Sequence, residues 1–226
     1  VVRQRIGRAV KRSFDVVAAL SGLIVLSPAI VAIAVLVRWR MGAPILFKQQ
    51  RTGFRERQFW ALKFRTMNSR TDAHGRLLPD HKRLGRLGRL LRKLSLDEIP
   101  QLVNVVRGDM SIVGPRPLLP KYDQWYSPNE RRRFEVRPGI TGLAQVAGRN
   151  LVGWNARLSY DIEYVDRRSL WLDLRIVLQT VKVVFSKHGV VDDPRSLMSD
   201  LDEERGEAMT DELILTPEDR SLLRAG

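Results

Sequence analysis

Arg92 to Pro117 read RKLSLDEIPQLVNVVRGDMSIVGPRP, with two adjacent carboxylates, Asp97 and Glu98, in a strongly basic neighbourhood. Successive side chains on a helix point about 100° apart, so one carboxylate can face a bound phosphate while the other reaches a cation at its edge. Cationic side chains nearby would then hold an anionic ligand. The same residues also read as helix chemistry. Ser95 followed three positions later by Glu98 is a capping box, whose hydroxyl and carboxylate satisfy amide donors at a helix start. Asp97 in a first turn would gain from the helix dipole. The two readings are compatible, because a helix N-terminus keeps a carboxylate ionised, as an attacking oxygen requires.

Just downstream, Gly114-Pro115-Arg116-Pro117 is a stiff turn, since proline fixes φ on both sides of Arg116. A guanidinium held in that way is preorganised for phosphate oxygens. Pro138-Gly139-Ile140-Thr141-Gly142 followed by Gly148-Arg149-Asn150 reads either as a loop presenting Arg149 or as an ordinary turn. Upstream, Ile45 to Met67 reads as a short strand pair turning at Gly53. Alternation in FWALKFRTM puts Phe59, Ala61, Lys63 and Arg65 on one face, either a phosphate clamp or an exposed basic strand. Ser69 to Asp80 is polar and reads as a mobile loop.

Arg83, Arg86, Arg89 and Arg92 recur every third residue among leucines, a spacing that spreads them over a broad helix face. Such a segment suits anionic headgroups or plain solvent, and Gly85 and Gly88 weaken it as a helix. Further on, Leu170, Leu174, Val177, Leu178, Val181, Val184 and Phe185 follow helical spacing and predict one buried face. Trp125, Tyr126, Trp154 and Trp171 suit either core packing or an interface belt, with the core favoured.

Val16 to Val37 is a run of 22 uncharged residues, about 33 Å as a straight helix and long enough to span a bilayer. Ser27-Pro28 lies near its midpoint, where proline removes an amide donor and kinks a helix. Both flanks are basic, Arg3, Arg5, Arg8, Lys11 and Arg12 before the run and Arg38, Arg40, Lys48 and Arg51 after it. The positive-inside rule then draws both ends to the cytoplasm, which a re-entrant hairpin satisfies. A kinked spanning helix and a buried core helix are the rival readings. The Ser27 hydroxyl is placed to cover backbone groups freed at Pro28.

The 226 residues fit one domain with appendages. With no cysteine, disulfides, Cys-ligated zinc and a thiol nucleophile are excluded from this chain. His74, His81 and His188 lack metal-ligand spacing, so a divalent ion would sit on carboxylate and substrate oxygens, which favours magnesium or manganese. Net charge is +14, but residues 191 to 226 hold 11 acidic against 4 basic side chains, a net of −7 that leaves +21 on the other 190 residues. An excess of that size implies a polyanionic partner, whether nucleic acid, anionic lipid or phosphorylated substrate.

Taken in order, KRSFDVVAA with Ser27-Pro28, FKQQRTG, KFRTM, LRKLSLDEIPQLVNVVRGDMSIVGPRP and RPGITGLAQVAGRN resemble the bacterial sugar transferase family, the monotopic phosphoglycosyl transferases, from about Lys11 to Gly189. The resemblance is to its short members, little more than a catalytic domain. It implies transfer of a sugar-1-phosphate from a nucleotide-sugar, usually a UDP-sugar, to undecaprenyl phosphate, with release of UMP. It makes Asp97 the nucleophile of a covalent phosphosugar intermediate and Glu98 the magnesium ligand. Lys63, Arg92, Arg116 and Arg149 fall at its phosphate-binding positions, and Asp161 at a further active-site position.

The expected fold is therefore α+β and mostly helical, in a monotopic membrane protein with an N-terminal re-entrant helical hairpin, amphipathic interface helices and a small antiparallel β element. Residues 1–190 form the catalytic domain, including a re-entrant membrane helix at 14–38, and 191–226 an acidic tail outside the core. The site would face the cytoplasm from the bacterial inner membrane, with membrane lipids as partners, no nucleic acid, and a homo-oligomer compatible with the sequence. The rival classes are a non-catalytic membrane scaffold and a nucleic-acid-binding protein. The second leaves the apolar run unexplained.

Overall fold

A computed structural model describes residues 2–147, 153–186 and 200–206. The chain opens with helix α1 (Val2–Val25) and helix α2 (Ser27–Met41), broken at Leu26 and bent by 63°. Pro28 has no amide to offer the Ile24 carbonyl, and the Ser27 hydroxyl donates to that carbonyl instead at 2.8 Å. The break thus falls where Ser27 and Pro28 predict it. No single described helix is long and apolar enough to cross a membrane, although the bent pair passes on length and composition together. The buried-core reading fails: Val17, Ile24, Val25, Val31 and Val35 are all more than 60% exposed.

The first half of α1 carries charge and is tied to the rest of the chain. Buried Asp15 accepts hydrogen bonds from Ser111 Oγ at 2.8 Å and the Ile112 amide at 3.2 Å. Arg12 donates to the Val105 and Val106 carbonyls, satisfying acceptors at the end of a later helix. The apolar bent pair therefore springs from a fixed base.

Strands β1 (Leu46–Thr52) and β2 (Gln58–Phe64) pair antiparallel, with Phe47 opposite Lys63 and Arg51 opposite Phe59. The predicted hairpin is present, turning just after Gly53 with Arg55 and Glu56 at positive φ. Arg65 lies just beyond the strand and lines the same cavity as Lys63. Its guanidinium donates to the Met67 and Ala43 carbonyls and to Ser69 Oγ. Within the polar loop that follows, Thr71 pairs with Leu77 and the Asp72 carboxylate accepts from the His74 and Arg76 amides.

The arginine-rich segment forms two helices, α3 (Asp80–Arg83) and α4 (Arg86–Lys93), separated at Leu84 and Gly85. Gly88 is required rather than a weakness, since a Cβ there would lie 1.9 Å from the Thr66 carbonyl oxygen. Helix α5 (Gln101–Arg107) packs on α1 through Ala19, Val105 and Met110. A second sheet pairs β3 (Ser111–Val113) with β4 (Gly139–Thr141) in parallel. Close approach of their flanking backbones needs glycine: a Cβ on Gly139 would meet the Gly114 nitrogen at 2.1 Å. Helices α6 (Leu143–Ala147), α7 (Trp154–Arg167) and α8 (Leu170–Ser186) follow.

Helix α8 reverses the expected burial. Leu170, Leu174, Leu178 and Val181 are 46–62% exposed, and Trp171 is 76% exposed rather than in the core. Its inward face is instead Leu172, Asp173, Ile176 and Thr180, joined by Val177, alone among the described apolar residues expected inside in packing on the core cluster. Asp173 is buried because Lys11 and the Tyr164 hydroxyl bond to it at 2.7 and 2.8 Å, and Thr180 meets Thr141 Oγ1 at 2.6 Å. Polar pairing, absent from a count of apolar positions, decides which side faces in. Tyr126 and Trp154 are in the core as expected, with Trp125 packed against them.

The acidic tail is not wholly outside the core. Residues 200–206 dock on it, with Leu201 fully buried among Tyr122, Tyr126, Phe134, Trp154 and Leu158. Lys121 bonds to Asp200 and Asp202, and Arg205 to Glu130. Apolar contact and charge pairing act together here, so the tail's charge was a poor guide to its place.

Candidate active site

Leu96–Glu98 is a 3-10 turn between α4 and α5. Ser95, at φ 55°, is left-handed and its side chain caps nothing, so the capping box is not formed. Glu98 has stronger partners: Lys63 Nζ at 2.6 Å and Arg116 Nη2 at 2.8 Å, both on Oε1. Charge-assisted bonds of this kind are about twice as strong as neutral ones, and they take the carboxylate from the backbone.

The pKa values of the two carboxylates are shifted in opposite directions. Burial alone would raise Glu98, but Arg116 and then Lys63 outweigh it and hold it well below the usual carboxylate range. Burial pushes Asp97 up, with the Glu98 charge adding to the rise and Lys63, Arg92 and Arg116 opposing it. Asp97 is only 7% exposed, so the ionisation favoured at a helix end is opposed here by desolvation.

Both residues line one cavity of about 970 Å³ together with Lys63, Arg92, Arg116 and Asp161. Arg92 Nε donates to Thr66 Oγ1 at 3.1 Å. Arg116 reaches Glu98 from the stiff Gly-Pro-Arg-Pro turn. Arg149 and His188 lie outside the described residues. Asp161 lines the cavity but its charge is committed to Arg133, at 2.8 Å between two side chains that are at most 5% exposed. Arg133 in turn donates to the Arg116 carbonyl at 2.7 Å, so Asp161 acts through Arg133 on the backbone that carries Arg116.

Sequence reasoning missed Arg133, Arg157 and Arg51 as cavity residues. Alternation along FKQQRT could have found Arg51, since it shares a strand face with Gln49 and Phe47. Nothing in the pattern of α7 marks Arg157. It lies over the Trp154 ring at 5.2 Å.

A divalent ion fits this donor set. Magnesium takes one or two carboxylates plus substrate phosphate oxygens rather than an all-protein cage. Among the described residues there is no group of three or more acidic or histidine ligands, and no donor bonds to Glu98 Oε2. An ionised oxygen is therefore open to a hard cation beside Asp97.

The family model described as Bacterial sugar transferase matches residues 6–187. An uncharacterized sugar transferase of Bacillus subtilis, EpsL, is 48% identical over 80% of this chain and 89% of its own length. UDP-galactose-lipid carrier transferase of Erwinia amylovora is 42% identical over 80% of this chain, which spans only 42% of that longer protein. UDP-glucose:undecaprenyl-phosphate glucose-1-phosphate transferase of Caulobacter vibrioides is 42% identical over 76% of this chain and 68% of its own. The matched span takes in α1 through α8 and every described cavity residue, and the chain is a transferase enzyme that belongs to the bacterial sugar transferase family.

Proposed function

We propose that this chain transfers a sugar-1-phosphate from a nucleotide-sugar, a UDP-sugar by analogy with the Erwinia and Caulobacter relatives, to undecaprenyl phosphate in bacterial glycan synthesis. The observation that carries this reading is the buried Asp97 next to an ionised Glu98 that is held by Lys63 and Arg116.

In the first half-reaction an Asp97 oxygen attacks the sugar-bearing phosphorus of the donor. A P–O bond forms, the P–O bond to UMP breaks, and UMP leaves with the electron pair. Like-charge repulsion between carboxylate and diphosphate must be offset, which is the task of Lys63, Arg92 and Arg116, joined by Arg149. Glu98 would hold magnesium, or manganese in its place, whose chemistry is to neutralise charge on phosphate oxygens. In the second half-reaction a phosphate oxygen of the lipid attacks the same phosphorus, and Asp97 regains its carboxylate. Two chemical steps on one nucleophile give ping-pong kinetics.

The bent pair α1–α2 is read as a re-entrant hairpin with both ends on the cytoplasmic side of the inner membrane. Its support is the 63° bend, the exposed valines and isoleucines, and the basic flanks. A lipid phosphate is thereby kept beside a cytoplasm-facing site. Purified protein incubated with undecaprenyl phosphate, magnesium and a panel of UDP-sugars is expected to release UMP from at least one donor. Inertness across the panel would favour the scaffold reading.

A further inference from the structure

We infer that Arg51 is a further anion-binding residue of the Asp97 site, its guanidinium forming with Arg116 a two-arginine seat for a phosphate group of the substrate. This deepens the transfer reading above and rests on it.

The register of β1 against β2 places Phe47, Gln49 and Arg51 on the strand face that also carries Lys63. Gln49, Arg51 and Lys63 all line the cavity with Asp97, Glu98 and Arg116. Arg51 reaches over the stiff turn, where Nη1 donates to the Pro117 carbonyl at 3.2 Å, one residue from Arg116. Its Nη2 donates to Gln49 Oε1. Both acceptors are neutral.

Several of its neighbours are differently placed. Lys63 and Arg116 share Glu98, Arg133 has Asp161, and Arg83 has Asp80. Among the described residues no carboxylate lies within ion-pair distance of Arg51, although the residue is partly buried. Burial, and then the charge of Arg116, press its pKa down to about 10. Arg116 must share Glu98 with Lys63 and Arg51 has no carboxylate within ion-pair distance, so the two guanidiniums lining this cavity are under-neutralised. An anion bridging them removes both the repulsion and the desolvation penalty. The planar fork keeps donors for phosphate oxygens while Pro117 and Gln49 fix its orientation.

Two phosphates pass through such a site, the donor's diphosphate and the lipid acceptor's, and binding measurements on the whole chain separate them. Calorimetric titration would use UDP, inorganic pyrophosphate and a short-chain polyprenyl phosphate in detergent, each with wild type, Arg51→Gln, Arg51→Lys and Arg167→Gln. The last removes the same charge from a side chain that is 72% exposed on α7, away from the cavity. Arg51→Gln is expected to weaken at least one probe by roughly 10- to 100-fold, the loss expected for a charge-assisted contact. A loss with UDP and pyrophosphate places the donor on Arg51, and a loss with the polyprenyl phosphate places the acceptor there. Arg51→Lys should recover part of the affinity, keeping charge without the fork, and Arg167→Gln should match wild type.

Arg51→Gln binding all three probes like wild type would overturn the proposal. If that variant melts early, Arg51→Lys decides: wild-type affinity for every probe overturns the seat, and a several-fold loss at an unchanged melting temperature supports it. Wild type that binds these anions but releases no UMP would sink the transfer reading alone. Wild type that turns over while Arg51→Gln binds normally would sink the seat alone.

Discussion

Asp97 and Glu98 are neighbours in sequence with opposite electrostatic fates. Raised by burial, Asp97 carries a penalty that is absent below the unfolded aspartate pKa of about 3.9 and complete once pH exceeds its folded pKa. Asp97→Asn should therefore lose turnover yet be more stable than wild type at neutral pH, and in chemical denaturation that gap should close as pH falls below about 4. Glu98 is depressed, so its contribution is present above the unfolded glutamate pKa of about 4.3 and lost as pH falls through the folded value. Glu98→Gln leaves Lys63 and Arg116 facing each other and should cost on the order of 1–3 kcal/mol at pH 7. Denaturation curves that rank the two variants the other way round would contradict this assignment. Of the site, Asp97, Glu98, Lys63, Arg92, Arg116 and Asp161 were legible as residues, and all line one cavity. Their partners were not. Ser95 and Glu98 have the spacing of a capping box, but spacing carries no information on Lys63 and Arg116, which lie 35 and 18 residues away and win the carboxylate.

Elements were readable where a local rule suffices and misread where a tertiary partner decides. Proline chemistry alone locates the break between α1 and α2, and alternation plus a glycine turn locates the β1–β2 hairpin. The inward face of α8 depends on Lys11 and Tyr164 drawing Asp173 inside, so apolar periodicity picked the wrong side. Likewise the parallel pairing of β3 with β4 joins segments 28 residues apart in register, and neither is long enough to show a strand pattern. The hairpin allows a direct test of orientation, because the chain has no native cysteine. Single cysteines placed at Gly7 and Gly42 should react with an impermeant thiol reagent from the same side of sealed membrane vesicles. Pro28→Ala restores the amide that Ile24 lacks and should straighten the pair, moving one of the two sites to the opposite side. Opposite-side labelling in the wild type would make the hairpin a spanning helix.

At the scale of the molecule, a basic catalytic unit sits on a bent apolar wedge, and residues 200–206 close over an aromatic cluster on its flank. The cluster's Trp154 and Leu158 also line the catalytic cavity, so the docked segment braces that wall. Leu201→Ala should lower stability by about 2–4 kcal/mol, as for other fully buried leucines, read from a thermal or urea transition. No measurable change would mean that the segment does not dock in solution. Net charge suits the anionic substrates proposed for this chain, but the split between a basic body and an acidic tail hid this contact, because a sum over residues is blind to where one leucine is buried. Large apolar side chains are exposed on α1, α2 and α8, in keeping with a lipid surface as partner.

The central claim is that Asp97 forms a covalent bond to the sugar phosphate. Wild-type protein incubated with an accepted UDP-sugar and magnesium, without lipid acceptor, should be trapped by acid and digested for peptide mass analysis. The account predicts a sugar-phosphate adduct on the peptide containing Asp97, discharged by undecaprenyl phosphate and absent from Asp97→Asn. Wild type that turns over when both substrates are present, yet carries no adduct on that peptide at any time without acceptor, would contradict it.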